Sequence, residues 1–362
     1  IMEIDILRIR IAMEKGDQSS AWGIAQQAYW NAVQQFRKQL YSSSTGIQYA
    51  YLVHHRRLLN RALSILPHNP GGSAEQEAIE MVLHWKGRIG RNLQWAQAQL
   101  WKEGIKPQKI LDEITESRSH LSSAILMMPD SITLEDVKMV GELRNQAQGL
   151  ERNLWTLVGE PTLPARIPLN QLLASMPEES AALLFFAWRP TIYANNPNPY
   201  EDSDLRVFAW TLRPDEEPER FDVGTVKGLR NQIFEYLNST RGASGFSTDS
   251  GPSPGEEIYK NLWEPFVDNL AEANPVFLSP DVFVTELPFE IIPEGDRYLA
   301  EDWSFVYMDD LTQHLRLPTK PSQIAGDLLA VGDVDYGLPE ELEIPNPTDD
   351  NRTRTQPTAF WA

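Results

Sequence analysis

Acidic side chains make up the two groups of residues in this 362-residue sequence whose types and spacing could do chemistry. The first group contains five acids within 16 residues, namely Asp281, Glu286, Glu290, Glu294 and Asp296. A glycoside hydrolase holds one carboxylic acid and one carboxylate several ångströms apart, and nothing in this spacing selects such a pair. We interpret the group as solvated side chains of an acidic region.

The second group follows the apolar run 328–331, which is predicted to be a strand. Gly332, Asp333 and Asp335 come directly after it, and open α/β sheets place ligands beyond the carboxyl ends of their strands. Phosphatases of the haloacid dehalogenase type carry an Asp-x-Asp at this place, followed two residues later by Thr or Val. The intervening Gly332 and the glycine at position 337 depart from that pattern. We therefore interpret this segment as a strand end and a turn.

Other catalytic and metal-binding patterns are missing from the sequence. Cysteine is absent, which excludes a thiolate nucleophile, a disulfide and a zinc–thiolate site within these residues. The histidines show neither His-x-x-x-His nor His-Glu-x-x-His spacing. We expect no serine nucleophile of the hydrolase type. The chain is therefore expected to hold no catalytic residue, metal or cofactor of its own.

The elements that would position these residues change character near residue 160. Before it, apolar residues recur at intervals of three and four, which predicts helices. These begin near residues 19, 49, 74, 107 and 133. The third is expected to continue to about residue 104. Helices separated by short breakers favour a TPR-like interaction region over residues 1–160, packed as a separate unit.

The last of these helices has the clearest pattern. Thr133 and Asp136 have the spacing of an N-terminal capping box. The seam residues Leu143, Ala147, Leu150, Leu154 and Leu157 step by 4, 3, 4 and 3. This heptad spacing predicts that the helix packs lengthwise on another helix, with Leu150 buried.

After Pro161 the sequence combines strand and helix patterns. Strands are predicted at 181–187 and 205–212, and helices near 226–237 and 256–271. Short apolar segments follow at 276–278, 282–284, 305–308 and 328–331. The predicted fold class is therefore α + α/β, with a helical layer at residues 1–160 and an α/β region at residues 161–362.

The charges differ between the two regions. Residues 1–160 contain 18 Lys and Arg against 17 Asp and Glu, whereas residues 161–362 contain 14 against 34. The acidic region argues against nucleic acid or an anionic membrane as its partner. No apolar run approaches the roughly 18 residues of a membrane span, and the first residues do not form a secretory signal. We expect a cytoplasmic protein that binds other proteins through its helical region.

Several phrases of the second region, taken in order, resemble the N-terminal part of a CHAT domain. This is a caspase-like peptidase domain often found with tetratricopeptide repeats. The phrases are 181–187 with 205–214, 258–265, 276–281, 286–290, 297–301 and 328–336. They include the family-like Leu-Pro-Phe motif at Pro288 and Phe289. The helical segment 82–88 also resembles segments that precede CHAT domains, so the resemblance covers roughly residues 75–362.

The resemblance implies a caspase-like α/β fold and a cysteine endopeptidase with a His and Cys dyad. In the family both residues follow the strand that matches 328–331, so the dyad is expected downstream of Ala362. No catalytic role carries over to Pro288, Phe289, Gly332, Asp333 or Asp335. A second polypeptide or a further C-terminal segment is expected to complete the sheet.

The sequence is compatible with two functions. The first is the N-terminal part of a cysteine endopeptidase that cleaves proteins and has a helical sensor region. The second is a non-catalytic scaffold or adaptor. In either case this polypeptide is expected to be inactive alone, because a covalent peptidase requires a nucleophile and a base.

Overall fold

A computed structural model of the protein describes residues 2–40, 45–66, 72–87, 91, 96, 99–100, 102, 107–126, 133–158, 166–191, 205–240 and 253–312. The expected strand at 328–331 and the motif residues Gly332, Asp333 and Asp335 lie outside this part of the chain. The described residues all belong to one structural unit, Ile1–Leu317.

The first region is helical, as predicted. Its described helices are α1 Met2–Glu14, α2 Gln18–Leu40, α3 Thr45–Ile65, α4 Gly72–Trp85, α5 Pro107–Leu126, α6 Leu134–Val158 and α7 Leu169–Leu173. The predictions missed α1. They also continued the helix of α4 without a break to residue 104. The chain leaves this helix after Trp85, where Gly87 adopts a φ of +64°, and the described residues 91, 96, 99–100 and 102 are again helical. None of the described helices combines the length and hydropathy that a bilayer crossing requires.

Helix α6 begins at the predicted capping box. The backbone N–H of Asp136 donates to Thr133 Oγ1 at 3.2 Å, and the N–H of Thr133 donates to Asp136 Oδ2 at 2.8 Å. These bonds satisfy two backbone donors that the helix itself leaves without partners. They also lower the pKa of the Asp136 carboxyl, with the Thr133 side-chain hydrogen bond as the largest cause.

The α6 seam is only partly as predicted. Ala147 and Leu154 are buried, whereas Leu150 is half-buried and Leu157 is exposed. Trp155 replaces Leu157 in the small core that α6 forms with α5.

The strands described in the second region are β1 Ala181–Trp188, β2 Arg206–Leu212, β3 Glu219–Thr225, β4 Val276–Ser279, β5 Pro293–Glu294, β6 Arg297–Tyr298 and β7 Phe305–Tyr307. Within the described residues, five of them form a sheet of order β3-β2-β1-β4-β7. β2 is antiparallel to β1 and β3, while β4 is parallel to β1 and β7. A mixed sheet behind a helical layer confirms the α + α/β class.

Strand β1 is buried on both faces, which explains its uninterrupted apolar sequence. Leu184, Phe186 and Trp188 lie in one core together with residues of α1 to α4 and α7. Leu183 and Phe185 lie in a second core on the opposite face. The division into domains at residue 160 stays a prediction. Helices α1 to α4, however, share a core with the sheet, so the expectation that they pack separately is wrong.

The second core is closed by α8 Val226–Thr240, α9 Pro254–Leu262 and the short α10 Val267–Leu270. The predicted single helix at 256–271 is interrupted around Pro265, which has no N–H to continue it. Of the short apolar segments, 276–278 and 305–308 provide β4 and β7. The segment at 282–284 instead forms the 3₁₀ helix Val282–Glu286.

Candidate functional site

The parallel strands β1, β4 and β7 end on the same side of the sheet, at Trp188, Ser279 and Tyr307. We call this side the carboxyl edge. Ligands and reacting groups of open α/β sheets bind outside such an edge. Here it receives three cationic side chains from the helical region: Arg56 of α3, Lys86 at the end of α4, and Arg91.

Lys86 is buried and contacts the backbone through all three of its donors. Its Nζ donates to the carbonyl oxygens of Phe185 at 3.0 Å, Ser279 at 2.9 Å and Pro280 at 2.9 Å. The side chain therefore joins the helical layer to β1 and to the end of β4. Burial lowers the pKa of the Lys86 ammonium to about 8, against the opposing fields of Asp281, Asp309 and Asp310.

Asp281 ties the turn after β4 to strand β1. Its Oδ2 accepts from the backbone N–H of Ala187 at 2.8 Å, and its Oδ1 accepts from the N–H of Val282 at 2.9 Å. Val282 has a φ of +47°, a left-handed conformation that strains a β-branched residue. The turn from Ser279 to Val282 is therefore held by carbonyl and carboxylate contacts against local backbone preference.

Arg56 of α3 binds the end of β1 close to the Asp281 contact. Its guanidinium donates to the Ala187 carbonyl at 2.7 Å and lies 4.9 Å from the ring centre of Trp85 and 5.5 Å from that of Phe186. Burial lowers the Arg56 pKa, and the nearby Asp281 carboxylate opposes this shift.

Arg91 and Asp310 form a buried ion pair beyond β7, with 2.7 Å between Nη1 and Oδ1. The guanidinium also donates to the Leu83 and His84 carbonyls of α4. Asp310 in turn accepts from the N–H of Thr312 at 3.0 Å. Close approach at this point requires glycine, because a Cβ on Gly87 would lie 2.4 Å from the Asp310 Cβ.

The side chains at the carboxyl edge therefore fix the backbone in place. Lys86 binds backbone carbonyls, Arg91 binds a carboxylate, and Asp281 accepts backbone N–H groups. These contacts fix where the ends of β1 and β4 and the chain after β7 lie, and they supply no nucleophile. A reacting group placed outside this edge would therefore meet a preorganised backbone.

The predicted motif residues Pro288 and Phe289 lie in the turns between β4 and β7, where Phe289 packs into the core. Phe289 is buried with its ring 5.9 Å from Phe185 and 6.1 Å from Trp263. Its N–H donates to the Tyr307 hydroxyl oxygen at 2.7 Å, and this hydroxyl donates to Glu290 at 2.7 Å. Burial raises the Tyr307 pKa, so the phenol stays protonated. The motif joins the turn after β4 to strand β7.

The acidic group between 281 and 296 does not converge on a catalytic pair. Asp281 is occupied by backbone donors, Glu290 by Tyr307, and Glu294 by the Tyr259 hydroxyl at 2.7 Å. Within the described part of the chain, no group of three or more acids and histidines is arranged to hold a metal.

One serine pattern escaped the sequence analysis. Residues 251–255 have Gly-x-Ser-x-Gly spacing around Ser253. A nucleophile elbow places its serine on a turn between a strand and a helix. Ser253 is instead the N-cap of α9, where its hydroxyl accepts from the N–H of Glu256 and Glu256 bonds back to the N–H of Ser253. In the described structure this hydroxyl therefore serves as a helix cap.

Strands β4 and β7 and the motif turn between them fall within a recognisable stretch of sequence. Residues 252–359 match the family model of the CHAT domain. The match confirms the resemblance to a CHAT domain and contains the phrases from 258 onward, whereas those at 82–88 and 181–214 lie before it. No curated protein matches the chain. The CHAT match includes Ser279, Pro280 and Asp310, while their partners Lys86 and Arg91 come from the helical region that precedes it.

Sequence reasoning missed these helical partners, although it singled out the segment 82–88 that contains Lys86. The acceptors of Lys86 lie 99, 193 and 194 residues further along the chain. No local spacing could reveal them. Gly87 directly after a charged helix end is the only local signal of a close approach.

Proposed function

We propose that this chain is the N-terminal part of a caspase-like cysteine endopeptidase that cleaves protein substrates. In this proposal residues 1–160 form a TPR-like sensor layer that binds a protein substrate or a regulatory protein. The CHAT match over residues 252–359 carries the proposal, because this domain is caspase-like.

The geometry supports the proposal through the three parallel strands that end at one edge. An acyl-transfer centre needs a nucleophile, a base and a rigid backbone around them. This chain supplies the rigid backbone, fixed by Lys86, Asp281 and Arg91. The sequence contains no cysteine, so the nucleophile and its histidine are proposed to follow Ala362.

The test uses the natural protein extended through the first downstream strand that ends in His-Gly and a later strand that ends in Cys. We expect the extended protein to cleave an unstructured protein such as casein, at a rate abolished by replacing the downstream cysteine with alanine. The 1–362 chain is the matched control and is expected to cleave nothing.

Two outcomes would contradict the proposal. Cleavage by pure 1–362 would place the chemistry in residues other than the proposed dyad. An extended protein that binds other proteins, but lacks the dyad or cleaves nothing, would favour the scaffold or adaptor instead.

A further inference from the structure

The carboxyl edge contains a buried cation whose contacts differ from those of an ordinary ion pair. An ammonium group has three N–H donors and no acceptor. All three donors of Lys86 point at main-chain carbonyls, those of Phe185, Ser279 and Pro280. Burying an ammonium group carries a large desolvation cost, which a fully satisfied donor set offsets only in part. A side chain of this kind is better suited to fixing geometry than to adding stability.

The three acceptors lie where the sheet stops providing partners. The parallel ladder between β1 and β4 ends at the pair Leu184 and Ser279. The carbonyls at and just beyond this point would lose their partners inside the protein, and buried carbonyls require them. Lys86 supplies three donors at this position. It therefore sets the distance between β1 and the departing end of β4.

The chain directly after these carbonyls is strained. Val282 has a φ of +47°, and its N–H is held by the Asp281 carboxylate that also bonds to Ala187 of β1. Such conformations persist only where the surroundings determine them. The surroundings here are the Asp281 bridge and the Lys86 ammonium, which comes from the helical layer.

We infer that Lys86 is a positioning residue that holds the turn Ser279–Val282 in its strained form, and through it couples helix α4 to the carboxyl edge. Displacing the end of α4 withdraws the ammonium, frees three carbonyls and lets Val282 relax. The catalytic consequence rests on the proposed function, in which the reacting groups lie outside this edge.

The first experiment uses the 1–362 chain and needs no activity. Amide hydrogen exchange is compared among the wild type, Lys86→Met and Lys86→Arg, with Lys227→Met as the control. Lys227 is an exposed lysine at the start of α8. We expect the amides of Ala187 and Val282 to exchange at least about tenfold faster in Lys86→Met, while those of β2 and β3 stay unchanged.

Lys86→Arg is expected to lie between the wild type and Lys86→Met, because a guanidinium keeps the charge but cannot match three convergent carbonyls. It also carries the test if Lys86→Met does not fold. Unchanged exchange at Ala187 and Val282 in the folded variants would overturn the inference. So would an acceleration spread equally over the whole sheet, since this indicates general destabilisation.

The second experiment uses the extended protein. Misplacement of the turn should lower kcat by about tenfold to a hundredfold and leave KM within about twofold, with Lys86→Arg partly active. Equal kcat in the wild type and Lys86→Met would overturn the catalytic part of the inference. An inactive wild-type protein would instead refute the proposed function. The exchange experiment would still decide whether Lys86 holds the turn.

Discussion

At the scale of single residues, the protein places the charges of Lys86 and Arg91 in its interior by different means. Arg91 has a carboxylate partner in Asp310, whereas Lys86 binds only dipoles, the carbonyl groups at the strand ends. Burial lowers the pKa of the Lys86 ammonium, although the carboxylates of Asp281, Asp309 and Asp310 oppose the shift.

Lys86 should give the stability of the protein a distinct pH dependence. Its folded pKa of about 8 is below the ordinary 10.5, so between these values the unfolded chain binds more protons than the folded chain. The contribution of Lys86 to the free energy of unfolding must then rise as pH increases from about 8 to 10.5. Urea unfolding across this range should show that rise in the wild type and in Lys227→Met, but not in Lys86→Met. Parallel curves for all three proteins would rule out a lowered pKa at Lys86.

Gly87 should be irreplaceable by alanine. An added Cβ would lie 2.4 Å from the Asp310 Cβ, at a φ of +64° that disfavours side chains. We expect Gly87→Ala to lower the free energy of unfolding by more than about 2 kcal/mol. Gly141→Ala in α6, where a Cβ would meet nothing within 4 Å, should instead stabilise by up to about 1 kcal/mol. Thermal unfolding of the two variants provides the comparison. Equal midpoints would mean that the Asp310 side chain moves to accommodate the added Cβ.

At the scale of elements, helix α6 shows which features the spacing of apolar residues can predict. The capping box and a lengthwise contact with another helix were predictable, because both depend on residues close in sequence. The exact buried face was not, because an α-helix drifts relative to a strict heptad. The bulky Trp155 and the ion pair from Glu151 to Arg118, at 2.6 Å, decide which side faces α5.

Two leucines of α6 provide a test of that face. Leu154 is fully buried and Leu157 is 53% exposed. Leu154→Ala should therefore lower the free energy of unfolding by about 2–5 kcal/mol. Leu157→Ala should change it by less than about 0.5 kcal/mol. Chemical denaturation of both variants measures the difference, and equal losses would restore the predicted heptad seam.

The strands also differ in whether local sequence patterns can predict them. β1 and β2 were predicted nearly to the residue, because an apolar run and an alternating run are local patterns. β3 was missed, since its half-exposed sequence from Glu219 to Thr225 mixes charged, apolar and small residues without a clear alternation. The strand forms because it pairs with β2, and its own composition does not indicate this.

At the scale of the whole molecule, the helical layer covers a sheet face that could not face water. Phe186, Trp188, Phe208, Trp210 and Leu212 are fully buried in the core shared with α1 to α4. A patch of this size and composition is rarely left exposed on a monomer. The two regions differ in net charge and in their predicted secondary structure, which suggested a division. Nothing in the sequence indicated that they share a core.

Separating the two regions at residue 160 should therefore fail. Residues 161–362 expressed alone are expected to aggregate or to bind a hydrophobic dye such as ANS. Co-expression of residues 1–160 as a second chain should recover soluble complex, which gel filtration would detect. A monomeric 161–362 fragment that unfolds cooperatively would show that the helices are dispensable for packing.

Strand β1 also has a consequence for how the sequence can vary over evolution. Its even-numbered residues from 182 to 188 contact the helical layer, and its odd-numbered residues from 181 to 187 contact α8, α9 and the turns after β4. Neighbouring positions in the strand are therefore subject to different selective pressures. A volume change at Phe186 must be matched in the helices, and one at Phe185 must be matched around Phe266 and Phe289. Substitutions along this single strand should form two interleaved sets of covarying positions that drift independently.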